Sequence, residues 1–211
     1  MKIVCIGRNY ADHAKELGNQ VPTEPLFFFK PESAILHKDH PFAIPEWTRD
    51  CHYEVELVVR LDRAAKWISP EHAGRCYASV GLGIDFTARD IQAELKAAGK
   101  PWEKAKAFDG SAVVSSQFIP IADLGGEIQD LSFSLFLNGN EVQQGHTQDM
   151  LFSVDALISH VSQYSTWKTG DLLFTGTPAG VGPVQSGDEL EGRLDPCWRS
   201  GTCGTRIKEE S

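Results

Sequence analysis

The stretch CHYEVELVV, residues 51–59, decides how this chain is read. In an extended chain Tyr53, Val55, Leu57 and Val59 fall on one face, and His52, Glu54, Glu56 and Val58 fall on the other. The β-branched and aromatic content marks a strand. One face of that strand then holds two carboxylates about 7 Å apart along the chain, between an imidazole and a valine. A solvent-facing strand explains single charges. A metal site explains the pair.

Working outward, the neighbouring segments alternate between strand and helix signals. KIVCIG reads as a strand, followed by the helix NYADHAKELG with Asn9 as N-cap and Gly18 past its end. PLFFFKPESAIL is too rich in proline for a helix and is expected to be extended. SPEHAGRCYASVGLGIDF gives a helix from Ser69, then a glycine-interrupted strand that ends near Asp85. TARDIQAELKAAGK predicts a helix with Thr87 as N-cap and Gly99 at its end.

LSFSLFLNGNEV alternates cleanly into a hairpin closed by Asn138-Gly139. LFSVDALISHVSQY adds a helix, and GDLLFTGTPAGVGPVQSGDELEGRL reads strand, turns, strand. Strands in hairpins with helices between them predict an α+β fold with a mainly antiparallel core.

Bulk properties bound the function. The 211 residues suit one good-sized domain, and 41% hydrophobic with 23% charged residues is an ordinary globular composition. A net charge of −9 and the lack of a basic run argue against nucleic acid or an anionic membrane as partner. MKIVCIG runs straight into a strand with no signal-peptide core, and no window reaches the apolar length of a membrane span, so a soluble, cytoplasmic protein is expected. The five cysteines are scattered, with no C-x-x-C pair. A Cys197–Cys203 bridge is conceivable, but reduced thiols are the default reading.

Four groups of residues carry chemistry. Two acids at i and i+2 on a strand can share a hard divalent cation if a third oxygen ligand comes from elsewhere. Asp85, at the end of an apolar run, is the natural third. His13 and Glu16 share a helix face, where a carboxylate-oriented imidazole can take a proton from water near neutral pH. In PWEKAKAF, Lys104 can be solvated, while Lys106 lies between two alanines and close to Phe108. Partial burial is expected to lower the pKa of Lys106. TGTPAGVGP packs three glycines and two prolines into a loop whose amides can approach an anion. It matches neither a Walker loop nor G-x-G-x-x-G, which excludes nucleotide binding on that ground. Each feature alone has a bland counterpart: a solvated glutamate, a capping aspartate, a surface helix, a plain turn.

Together and in this order, these pieces resemble the fumarylacetoacetate hydrolase family. The matching strings are GRNYADHAKELG (7–18), FFKPESA (28–34), HYEVELVV (52–59), IDFTARDIQ (84–92), GKPWEKAKAFDG (99–110), NGNEVQQG (138–145) and GDLLFTGTPAGVGP (170–183). They extend over about residues 2–190 and are closest to the small members that act on acylpyruvates and oxaloacetate.

The resemblance implies Mg²⁺ or Mn²⁺ held by Glu54, Glu56 and Asp85, with Ca²⁺ a further candidate in isolated protein. It implies a lid helix within residues 1–20 whose His13 and Glu16 activate water, and a polar catalytic lysine at Lys106. Arg89, Gln92 and Thr177 match positions that hold substrate oxygens. A mixed β-sandwich roll, one catalytic domain over residues 1–211 and a homodimer are implied as well. His52 is not among the implied ligands and reads as a supporting residue. Two departures stand out: GSAVVSSQ (110–117) lacks a proline expected after F-D, and the tail 191–211 is unlike the expected final strand.

The implied activity is metal-dependent chemistry on 2-oxo acids through a metal-stabilised enolate. It takes the form of acylpyruvate C–C hydrolysis or oxaloacetate decarboxylation, with keto–enol tautomerisation close behind. Isomerisation or hydration of hydroxymuconate-type acids is a rival, made weaker by the His13–Glu16 pair. A metal-binding domain without activity is the non-enzyme rival.

Overall fold

The apolar runs of the sequence settle into three sheets. The computed structural model describes residues 1–37, 40–125 and 127–195 in full and the backbone of 204–208. From the N-terminus come β1 (Ile3–Ile6), α1 (Ala11–Glu16) and β2 (Phe27–Lys30), then β3 (Cys51–Tyr53), β4 (Val55–Leu61) and α2 (Pro70–Ala73). β5 (Tyr77–Asp85), β6 (Thr87–Ala88), α3 (Arg89–Ala97) and α4 (Glu103–Lys106) follow. The second half holds β7 (Ala112–Val114), β8 (Ile119–Pro120), β9 (Ser132–Leu137), β10 (Asn140–His146) and α5 (Val154–Tyr164). It closes with β11 (Leu172–Phe174), β12 (Gly182–Pro183), β13 (Glu189–Asp195) and β14 (Gly204–Lys208).

The large sheet runs β2-β1-β11-β4-β5-β7, with β8 also on β5; a second runs β10-β9-β13-β14, and a small third runs β12-β3-β6. Among the named strands, β1 with β11 is the one parallel pairing, and the rest are antiparallel. The mixed, mainly antiparallel α+β expectation therefore holds. Among the described residues, no helix is long and apolar enough to cross a membrane.

Both faces of the large sheet's centre are buried. Val55, Leu57, Val59 and Leu61 join Val80, Leu82 and Ile84 against Leu131, Phe133 and Leu135 of the second sheet. On the opposite face, Ile3, Cys5, Val58, Leu172 and Phe174 form a smaller apolar cluster. Double burial explains why IVCI and LLF read as unbroken apolar runs rather than alternating ones. The site lies on this second face.

Several local expectations are corrected. Residues 51–61 are not one strand: the chain leaves the small sheet at Tyr53 and enters the large one at Val55, so Glu54 sits on the junction. Asn9 does not cap α1, whose N-cap is Tyr10. The Asn9 amide instead clamps two distant segments, donating to Thr175 O and Phe152 O and accepting from Phe152 N. Thr87 does not cap α3 either; it lies in β6 and turns its hydroxyl to the site.

The Asn138-Gly139 hairpin forms as expected between β9 and β10, with both residues at positive φ. The proline-free segment 110–117 runs alongside β5 as β7, with Ala112 opposite Asp85. In the tail, residues 189–195 and 204–208 pair as β13 and β14. The expectations on 196–203 and 209–211, the Cys197–Cys203 bridge included, lie outside the described residues.

Candidate active site

Backbone register brings the three acids together. Glu56 on β4 stands opposite Gly83 on β5, so Asp85, two residues along, shares its face. Glu54 reaches them from the strand break, where its carbonyl accepts from Asp85 N at 2.9 Å. One ligand oxygen from each of Glu54, Glu56 and Asp85 lies within 4.8 Å of the others. Their exposures of 5%, 1% and 1% rule out the solvent-facing strand. The glycine in SVGLGIDF has a steric reason, because a Cβ on Gly83 would meet Phe174 Cε1 at 2.6 Å and Val113 O at 2.7 Å.

Three cations face these three acids. Lys106 Nζ donates to Glu54 Oε2 and Asp85 Oδ2, both at 2.8 Å, and to Thr87 Oγ1 at 2.6 Å, which uses all three of its protons. Arg89 Nη2 donates to Glu54 Oε1, and its Nη1 donates to Gln92 Oε1 at 2.7 Å. Lys30, fully buried, sets its ammonium 2.8 Å from Asp85 Oδ1. Its protons go elsewhere, to Lys106 O, to Ser111 O at 3.0 Å and to Ser111 Oγ at 2.9 Å.

The charges explain the pKa pattern. Burial alone would raise the Glu54 pKa, but Lys106 and Arg89 hold that carboxyl far below the usual range. Glu56 moves the other way: burial and the charges of Asp85 and Glu54 push it well up, against the Gly176 amide and Lys106. Lys106 corrects an expectation. Burial does act to lower its pKa, yet Asp85 and Glu54 outweigh it and the net shift is upward. The shift favours the protonated lysine.

The donor set suits a hard divalent ion. Three buried carboxylates supply oxygen ligands, and Asp85 Oδ1 accepts no hydrogen bond despite its burial. Lys30 gives that oxygen charge without a proton, which leaves its lone pairs free for a metal. A cation would also relieve Glu56 of the repulsion that raises its pKa. These residues could therefore hold Mg²⁺ or Mn²⁺.

The side chains of His13 and Glu16 meet on α1. His13 Nδ1 lies 3.2 Å from Glu16 Oε2, and Glu16 Oε1 accepts from Gly180 N at 3.0 Å. Burial lowers the His13 pKa against the opposing pull of Glu54 and Glu16. The charges of Glu54 and Arg89 both act on His13. His52 pairs elsewhere, with Nε2 2.8 Å from Asp50 Oδ1.

The glycine-rich loop differs from the sequence reading in one respect. Two of its amides already serve protein carboxylates: Gly176 N donates to Glu56 Oε2 at 2.6 Å and Gly180 N to Glu16. Gly176 is required at its position, with φ 99° and Asn9 Cβ only 2.8 Å from where its own Cβ would stand. Thr177 follows at once, buried, accepting from Gln143 Nε2 at 2.9 Å.

Lys30 and Gln143 were missed by sequence reasoning. A lysine closing the run FFFK was the available signal for Lys30. Gln143 had none, because a register shift in β10 between Glu141 and Gln143 decides where it points. A cavity of about 960 Å³ lined by Met1, Phe29, Trp47, Ile91 and Phe108 touches the site residues only at Lys30. It holds no group of acids or imidazoles.

The comparisons agree with this geometry. The family model "Fumarylacetoacetate (FAA) hydrolase C-terminal" matches residues 2–208. The chain is 47% identical over 194 residues to the oxaloacetate tautomerase YcgM of Escherichia coli (strain K12), covering 92% of this chain and 88% of that protein. A crystal structure of a fumarylacetoacetate hydrolase family protein from Yersinia pestis CO92 superposes with a TM-score of 0.90 at 45% identity, over 98% of this chain and 92% of that one. Fumarylpyruvate hydrolase from Pseudomonas aeruginosa, solved in complex with Mn²⁺ and pyruvate, gives a TM-score of 0.89 at 34% identity, over 100% and 90% of the two chains. The chain belongs to the fumarylacetoacetate hydrolase family.

Proposed function

We propose that this chain is a Mg²⁺- or Mn²⁺-dependent enzyme that forms the enolate of 2-oxo acids, by proton transfer from C3 in oxaloacetate keto–enol conversion, or by breaking the C3–C4 bond with release of CO₂ and protonation of C3 in decarboxylation. The observation that carries the reading is the buried Glu54–Glu56–Asp85 cluster faced by Lys106 and Arg89. The kinship to an oxaloacetate tautomerase supports the substrate class.

A bound divalent ion would act as Lewis acid on the substrate's carboxylate and 2-oxo oxygens. The chain's own groups do the rest. Lys106 and Arg89 bring fixed positive charge to the place where the enolate oxygen develops. In the metal-free site Asp85 and Glu54 raise the pKa of Lys106 and favour its protonated form. Glu16 accepts from Nδ1–H of His13 and so leaves Nε2 as the proton acceptor. In tautomerisation a proton leaves C3 and one is added to the 2-oxo oxygen, with no net change of atoms.

The His13–Glu16 pair favours a second reading, hydrolysis of acylpyruvates, on the same centre. Here His13 takes a proton from water, and the water oxygen bonds to the distal carbonyl carbon. The C3–C4 bond breaks with its electron pair passing to C3, which takes up a proton to give pyruvate. Purified protein with Mg²⁺ or Mn²⁺, supplied separately with oxaloacetate and acetylpyruvate, ranks the two readings. Turnover of oxaloacetate alone supports the first, turnover of acetylpyruvate supports the second, and turnover of neither defeats both.

A further inference from the structure

One buried amide joins two parts of the site that the catalytic reading treats separately. Gln143 is 2% exposed on β10, just after the register shift that turns it inward. Its Oε1 accepts at 2.9 Å from Val55 N, the amide between Glu54 and Glu56. Its Nε2 donates to Thr177 Oγ1 at 2.9 Å and to Pro178 O at 3.0 Å. The amide's orientation is forced: Val55 N–H can only donate and Pro178 C=O can only accept, so the NH₂ group must face Thr177.

This has a consequence for the threonine. Because Oγ1 receives a proton from Gln143, its own proton points away from Gln143, and among the described residues it meets no protein acceptor. Thr177 follows Gly176, whose amide donates to Glu56 Oε2 at 2.6 Å, so the backbone that carries the threonine lies against the carboxylate centre. We infer that Gln143 is a positioning residue: it fixes Thr177 as a hydrogen-bond donor to an anionic substrate oxygen. A register shift next to a site that re-aims one side chain is a recurrent use of such irregularities. The inference rests on the proposed 2-oxo acid reading.

A double-mutant cycle tests it, with oxalate as probe on the Mn²⁺-loaded protein and calorimetry as readout. Gln143→Met and Thr177→Val should each weaken oxalate binding about tenfold to 150-fold, the loss of a hydrogen bond to a charged group. The double variant should be no weaker than Thr177→Val alone, because Gln143 acts through the threonine. Mn²⁺ affinity of Gln143→Met should stay within about threefold of wild type.

Gln143→Glu keeps the bond to Val55 N but can no longer donate to Thr177, so it should weaken oxalate binding as Gln143→Met does. This near-isosteric variant also serves if Gln143→Met does not fold. Additive losses, or oxalate affinity unchanged in both Gln143 variants, would overturn the positioning role and leave the function untouched. Failure of the wild-type protein to bind oxalate with Mn²⁺ would overturn both.

Discussion

Lys30 Nζ stands 2.8 Å from Asp85 Oδ1 yet gives its protons to Lys106 O and to Ser111. The lysine therefore does two things at once. It ties the end of α4, which carries Lys106, to the start of β7, and it offsets the charge of an acid whose oxygen remains open. Removing one partner of a buried charged network leaves the other uncompensated, at a cost of about 3–5 kcal/mol. Lys30→Met should lower unfolding stability by that order, read from the denaturant midpoint of the metal-free protein. A loss under about 1 kcal/mol would contradict the role.

Asp85 offers the one carboxylate oxygen of the cluster that is buried without a hydrogen bond. Asp85→Asn keeps the shape and removes the charge. It should weaken Mn²⁺ binding by at least about 100-fold, the upper end of what supporting residues of metal sites cost. Calorimetric titration checks this, and unchanged affinity would move the metal away from Glu54, Glu56 and Asp85.

His13 and Glu16 separate hydrolysis from decarboxylation. Loss of a carbon dioxide needs no water, whereas acylpyruvate hydrolysis does. His13→Ala should reduce acetylpyruvate hydrolysis by roughly 10²- to 10⁴-fold, the usual worth of a general base, and leave oxaloacetate decarboxylation within about threefold. An equal fall in both would show that His13 does not serve water alone.

The pH profile follows from the burial of His13. Its pKa is lowered from 6.5, and the proton-accepting neutral form exists above the folded pKa and vanishes as pH falls through it. Hydrolytic kcat/KM should stay level from neutral pH down past 6.5, then fall with the uptake of one proton. An acid limb centred above pH 6.5 would contradict this assignment.

Much of the site could be read from the sequence because its groups sit in short strings with local meaning. Glu54 and Glu56 announce themselves as acids in an apolar strand, and His13 with Glu16 as a helix-face pair. Long-range pairing decides what was missed. Glu54 lies at a junction between two sheets, which the alternation of residues 51–59 conceals. Asn9 and Thr87 carry capping chemistry, yet tertiary partners 143 or more residues away for Asn9, and Lys106 for Thr87, claim their side chains. The pKa of Lys106 rises because two carboxylates from other elements meet it, a sum of charges that the string PWEKAKAF cannot contain. Gln143 reaches the site only through a register shift.

The most direct test of the central claim is turnover of oxaloacetate and acetylpyruvate by the purified chain with Mn²⁺, then after chelation, then after Mn²⁺ is restored, with Asp85→Asn run in parallel. The expected result is turnover of at least one substrate that is lost on chelation, regained with metal and missing in Asp85→Asn. Turnover that survives chelation, or that persists in Asp85→Asn, would contradict metal-dependent 2-oxo acid chemistry at Glu54, Glu56 and Asp85.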